Sequence, residues 1–171
     1  SILNCAWVNH PDHNRIAEIK LNQLNKAIQI GLEIPRTLVT NSPSEARRFI
    51  KNLKGDVIVK PLSGGFVPDD TNPTSIFTNI LKPKDMEHLN NVRYTPTLFQ
   101  EYISKSVEIR TTVVGNKVFA AEIHSQLNPN SLHDWRHDVL NIPHKIHQLP
   151  EDIAQKCLAL VRSFNLNFGA I

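Results

Sequence analysis

Cysteine is scarce in this sequence, with only Cys5 and Cys157 among 171 residues. They lie far apart with no C-x-x-C spacing, which excludes a disulfide framework; two free thiols in apolar surroundings, in a reducing cytoplasm, are expected instead. No basic stretch followed by an apolar one opens the chain. No apolar run approaches the roughly 20 residues that cross a bilayer, so neither secretion nor membrane insertion is expected. Charge of one sign is also scarce. The formal net charge is +3, too small and dispersed to argue for a nucleic-acid partner, although a basic cleft would suit an anionic cofactor or an acidic peptide. There is no internal repeat, no low-complexity tract and no G-x-x-x-x-G-K-[ST] string, the last of which excludes a Walker loop. What remains is 40% hydrophobic and 20% charged, long enough for one domain with a core or for two small lobes sharing a cleft.

Helical and strand patterns alternate. Leu21, Leu24, Ala27, Ile28 and Ile30 follow Lys20 at helical spacing, and Gly31 ends that helix before Ile34-Pro35. Ser42 reads as an N-cap, Pro43 as the first helical residue and Glu45 as the capping-box acid of a helix that stops before Lys54-Gly55. Val113 to Val118 reads as a tight hairpin. Leu149 to Phe164 reads as an amphipathic helix with Ile153, Cys157, Leu160, Val161 and Phe164 inward. Two stretches lack a pattern. Val67 to Ser75 is rich in turn formers and suits a lid, and Asn128 to Lys145 is irregular apart from Asp134-Trp135-Arg136.

Three segments carry chemistry. VIVK is a short β-branched run ending at Lys60, a fixed charge that can neutralise phosphate; Ser63, Gly64 and Gly65 follow, and the two glycines let the backbone fold closely over an anion. A plain turn fits the loop equally well. Gln100, Glu101, Tyr102 and Ile103 leave an apolar strand, and their backbone groups have no obvious ladder partner. A purine edge would satisfy them, with Ile103 and Val59 as walls for its ring, but the tetrapeptide alone reads first as an ordinary strand-to-turn transition. Glu108, Arg110 and Thr112 share one strand face by alternation. The carboxylate would suit ribose hydroxyls and the guanidinium phosphates or an acidic substrate, whereas a solvated strand face is the plainer reading. His133, His137, His144 and His147 crowd one stretch without metal-ligand spacing, so no zinc site is expected and surface or substrate-facing roles are the default.

In order, these are the helix with Lys20, PRTLVTN, SPSEARRFI, VIVKP, the glycine loop, FQEY, VEIR, VVGNKVFAAEI and DWR. That order resembles the ATP-grasp ligases, RimK-type branch, over essentially the whole chain. WVNHP, KPLSGGF, PTLFQEYI and VFAAEIHSQ look most like the enzymes that mature microviridins and other graspetides. The resemblance implies an α+β fold of two small α/β lobes with mainly antiparallel sheets gripping a nucleotide between them. It implies that Lys20, Lys60, Ser63, Gly64 and Gly65 meet the phosphates, that Gln100, Glu101, Tyr102 and Ile103 form the adenine hinge, and that Glu108 binds ribose. Arg136 and Arg110 would be the catalytic arginines. ATP and magnesium are the implied cofactors, with the metal carboxylates expected beyond Ile171. A fragment is therefore expected, with 1–14 the end of a linker from an N-terminal domain, 15–97 the N-terminal ATP-grasp subdomain and 98–171 the hinge and an incomplete C-terminal subdomain.

The implied activity is activation of a carboxylate as an acyl phosphate for attack by an amine or hydroxyl, macrocyclising a ribosomally made precursor peptide that carries a leader. The alternatives are a RimK-like amino-acid (glutamate) ligase, or a nucleotide- or precursor-binding module without turnover. No nucleic acid or membrane partner is implied, and a homodimer is compatible.

Overall fold

A computed structural model describes residues 5–62, 66–67, 74–75 and 78–171. In chain order the elements are α1 (Pro11–Glu18), α2 (Lys20–Ile30), β1 (Thr37–Thr40), α3 (Pro43–Asn52), β2 (Val57–Lys60), β3 (Phe66–Val67), β4 (Thr74–Ser75) and β5 (Asn79–Ile80). A 3-10 segment, Pro83–Tyr94, leads to β6 (Thr97–Glu101), β7 (Glu108–Val114), β8 (Lys117–Ile123), β9 (His144–His147), α4 (Glu151–Arg162) and β10 (Phe168–Ala170).

The chain divides into two units, each woven from separate stretches. The first comprises Ser1–Glu33, Ser106–Asn128 and Val139–Ile171; the second comprises Ile34–Lys105 and Pro129–Asp138. These units cut across the boundaries expected at 14 and 97: α2 packs on α4 and so joins the first unit, and residues 129–138 return to the second.

The second unit holds an antiparallel sheet of order β1-β6-β2-β5. One face buries Val57 and Phe99 against Ala46 of α3 and against Leu89 and Val92 of the 3-10 segment. α3 starts as its sequence requires, with Pro43 at its first position and the Ser42 hydroxyl accepting from the Glu45 N–H at 3.4 Å. The other arm of the box runs through Thr40. The Ser42 N–H donates to Thr40 Oγ1 at 3.0 Å, and that hydroxyl donates to Glu45 Oε2 at 2.6 Å. The expected lid contains the paired ribbon β3–β4; 68–73 lie outside the described residues.

The first unit holds a second antiparallel sheet, β10-β7-β8-β9. Val113 packs beneath Cys157, Leu158 and Val161 of α4, and burial pushes the Cys157 thiol upward against a lowering hydrogen bond with Thr111. Cys5, expected in apolar surroundings, is exposed, as are its neighbours Ala6, Trp7 and Val8. β10 runs so close to α4 that a Cβ on Gly169 would lie 2.7 Å from Val161 Cγ2. α2 ends where expected, at Gly31 with φ +82°, a conformation glycine adopts without a Cβ penalty. Within the segment 1–14, expected to end a linker, α1 begins at Pro11 and Asn9 is tied to the β10 stretch: its side chain donates to the Phe168 carbonyl at 2.8 Å and accepts the N–H of Asn167 at 2.9 Å.

Candidate functional site

In the second unit, β6 is the central strand. Thr37 of β1 and Ile58 of β2 both lie opposite Gln100, and Lys60 lies opposite Leu98, so Thr37, Gln100 and Lys60 share one face of the sheet. Lys60 Nζ donates to Gln100 Oε1 at 2.8 Å, Gln100 Nε2 donates to Thr37 Oγ1 at 2.8 Å, and the Thr37 hydroxyl donates to the Pro35 carbonyl at 2.8 Å. Gln100 is buried. Val59, expected as a wall beside Lys60, is one residue off and points to the opposite face, where it packs on the Ala46–Phe99 core. Ile58 and Leu98 are the apolar neighbours on the face of Lys60. Ser63, Gly64 and Gly65 lie outside the described residues.

The expected unladdered backbone at the hinge is corrected. A central strand has partners on both sides, so Gln100 and Glu101 lie within β6, with the Glu101 N–H on the Arg36 carbonyl and the Tyr102 N–H on the Asp56 carbonyl, both at 2.9 Å. The Glu101 carboxylate turns back to accept the Arg36 N–H at 3.3 Å. Ile103 is the member of the tetrapeptide whose side chain is half exposed, at 52%.

Residues 129–138 bring a second group to this unit. The His133 ring meets Tyr102 edge-on, centroids 5.8 Å apart, and the His133 carbonyl accepts from Lys105 Nζ at 3.4 Å. Asp134 is 4% exposed. Its two oxygens accept from Arg136 Nε and Nη2 at 2.8 and 2.7 Å. Burial pushes the Asp134 carboxyl upward, but the Arg136 guanidinium and the Thr78 N–H outweigh it and hold the group below the usual range. The Arg136 side chain remains 59% exposed.

In the first unit, Lys20 is the first residue of α2. Glu108, Arg110 and Thr112 alternate on one face of β7, as the sequence indicates, away from Val113 and α4. Arg110 is exposed and Glu108 half-buried. Glu122, on the other face of β8, lies between two histidines. Its Oε1 is 2.9 Å from His147 Nδ1 and its Oε2 3.2 Å from His124 Nε2. The His147 hydrogen bond is the main influence that holds the Glu122 carboxyl below its usual value. His133, with its ring against Tyr102, is exposed, as are His137 and His144, in keeping with the default surface assignment, whereas His147 is half-buried and paired with Glu122. Among the described residues no group of three or more His, Cys, Asp or Glu side chains is placed to hold a metal ion.

No family model and no curated protein sequence matches this chain. Among solved structures, the chain is 37% identical to a RiPP-associated ATP-grasp ligase of Chryseobacterium gregarium in complex with ADP and a leader and core peptide. The match covers 96% of this chain and 50% of that one, with a TM-score of 0.88. The chain belongs to the ATP-grasp superfamily. Another match of this ATP-grasp chain is the macrocyclase MdnC from Microcystis aeruginosa MRC, bound with precursor peptide MdnA, at 30% identity over 96% of this chain and 49% of that one, TM-score 0.80. The ATP-grasp ligase PsnB, complexed with a phosphomimetic variant of a minimal precursor, Mg and ADP, matches at 24% identity over 98% of this chain and 48% of that one, TM-score 0.73, and supports the shared fold alone. The α+β ATP-grasp architecture expected from the sequence is therefore established. The chain spans about half the length of these solved structures.

Proposed function

We propose that this chain is the nucleotide-handling part of an ATP-dependent ligase that modifies a ribosomally made precursor peptide. The observation that carries the reading is the 37% identity and TM-score of 0.88 over nearly the whole chain to a ligase solved with ADP and with leader and core peptide. In this reading Lys60 and Lys20 meet the phosphates, the segment ending at Tyr102 and Ile103 meets the adenine, and Glu108 meets the ribose. ATP gives its terminal phosphoryl group to a side-chain carboxylate of the peptide, leaving ADP and an acyl phosphate. An amine or hydroxyl of the same peptide then attacks the acyl carbon, loses its proton and expels phosphate, closing a macrolactam or macrolactone. Arg136 and Arg110 supply fixed positive charge while the acyl phosphate forms and breaks, which is positioning and electrostatic work rather than covalent chemistry. Magnesium would accompany the nucleotide and offset phosphate charge.

The leader of the precursor is the proposed partner and the cytoplasm the proposed location. No helix among the described residues is long and apolar enough to cross a membrane. The test is to incubate the full-length protein with ATP, magnesium and a short Thr/Ser/Lys/Asp/Glu-rich precursor peptide, to be sought among the genes beside its own, and to follow peptide mass and ADP. The expected result is loss of one water for each ADP released. ATP turnover that is stimulated by free glutamate and extends the peptide would replace this reading with an amino-acid ligase.

A further inference from the structure

Gln100 belongs to the expected adenine hinge, yet its side chain is buried and both ends of its amide are engaged inside the sheet. Resting on the nucleotide reading above, we propose that Gln100 is a positioning residue for Lys60, itself oriented by Thr37 and the Pro35 carbonyl.

The direction of the relay follows from the donors it contains. A threonine hydroxyl has one proton, and Thr37 donates it to the Pro35 carbonyl at 2.8 Å. Its oxygen can then only accept from Gln100, so the NH2 end of the amide faces Thr37 and the carbonyl end faces Lys60. An ammonium, which only donates, is met by an oxygen. The orientation of one backbone carbonyl on β1's approach is thereby carried across three strands to the charge at the end of β2.

The choice of an amide has a consequence for charge. A carboxylate at position 100 would hold Lys60 by an ion pair and cancel most of its charge locally, and an arriving phosphate would have to compete with it. An amide oxygen fixes the ammonium by a hydrogen bond and itself brings no opposing charge. Gln100 thus orients Lys60 without neutralising it.

The test measures ADP affinity by calorimetry for wild type and Gln100→Glu, each with and without Lys60→Ala, together with the NMR signal of the Lys60 ammonium group in the nucleotide-free protein. Gln100→Glu is expected to weaken ADP binding about tenfold or more, on the scale of a charge-assisted contact, and to have little effect once Lys60 is alanine. An equal loss in both backgrounds would show that Gln100 acts independently of Lys60 and would overturn the proposal. Should a buried glutamate prevent folding, Thr37→Val interrupts the relay at its far end. It is expected to shift the Lys60 ammonium signal and weaken ADP binding, and Thr37→Ser is expected to restore both. An ammonium signal unmoved by Thr37→Val and by Gln100→Ala would also overturn the proposal. If Lys60→Ala leaves ADP affinity unchanged, it is the nucleotide reading that fails, while the ammonium signal still decides whether Gln100 positions Lys60.

Discussion

Asp134 grips the Arg136 guanidinium along one edge through two parallel N–H···O bonds, from a carboxylate that is almost fully buried to a side chain that is more than half exposed. The pair joins a fixed anchor to a presented charge, and planar bidentate geometry is what arginine offers and lysine does not. Asp134→Ala is expected to cost about 2 kcal/mol of stability, the scale of losing hydrogen bonds to a charged group, read from urea denaturation. Because the folded carboxyl lies below its usual value, its contribution is complete above the unfolded aspartate pKa and is lost as pH falls through the depressed folded value. Wild-type stability should therefore decline into the acid range more steeply than that of Asp134→Ala; parallel pH curves would refute the anchor.

Lys60→Ala is expected to weaken ATP binding by about 1.5 to 3 kcal/mol, the range for a lost charged hydrogen bond, with the fold intact by circular dichroism. Equal affinities by calorimetry would remove Lys60 from the phosphate site.

Glu108 lies at the start of β7 on the same face as Arg110. If it meets the ribose, the contact is made equally before and during reaction. Glu108→Gln in the full-length enzyme should then raise KM for ATP several-fold, on the scale of about 1 kcal/mol for one hydrogen bond, while changing kcat less. A collapse of kcat at unchanged ATP affinity would make the residue catalytic.

The Glu122 carboxylate joins β8 to β9 through His147 and lies beside His124. Its folded pKa is lowered by the His147 hydrogen bond before any other favourable influence, so the link is intact above the unfolded glutamate value and is lost as pH falls through the lowered one. Amide exchange at Ala120 and Glu122, which lie opposite His147 and Lys145 of β9, should accelerate as pH falls through the lowered Glu122 value, after correction for intrinsic rates. In Glu122→Gln that acid-dependent step should be absent.

Gly169→Ala should be destabilising although the backbone there is ordinary, because the new Cβ would lie 2.7 and 3.0 Å from the two methyls of Val161. A β-branched side chain in a helix has one strongly preferred rotamer and cannot swing clear. A loss of about 1 to 3 kcal/mol is expected from overpacking, partly recovered by Val161→Ala in the same chain. Additive losses in the double variant would show that the two residues do not meet.

Local signals were read well from the chain because their causes are local. The glycine stop of α2, the serine and proline that open α3, and the apolar stripe of α4 each depend on residues within a few positions. What could not be read depends on register and return. The side on which Val59 points follows from its packing under α3. The pairing of Glu122 with His147 spans 25 positions and exists only because β9 aligns with β8. Thr37 carried no more than a strand signal until Gln100 was placed opposite it. The superfamily was legible in the order of motifs, whereas the grouping of His133, Asp134 and Arg136 with the hinge strand's unit was not, since the intervening chain passes through β7 and β8.

The relay from Pro35 to Lys60 makes the site intolerant of slippage in a way that an isolated lysine would not be. Displacing β6 by one residue would replace Gln100 on that face with Phe99 or Glu101. The first would leave the ammonium without its oxygen, and the second would oppose it with a negative charge. An insertion or deletion within Thr97–Gln100 would therefore take the amide away from Lys60 without altering the lysine, so this sheet doubles as an alignment check in which only the correctly paired chain sets a neutral oxygen against that ammonium.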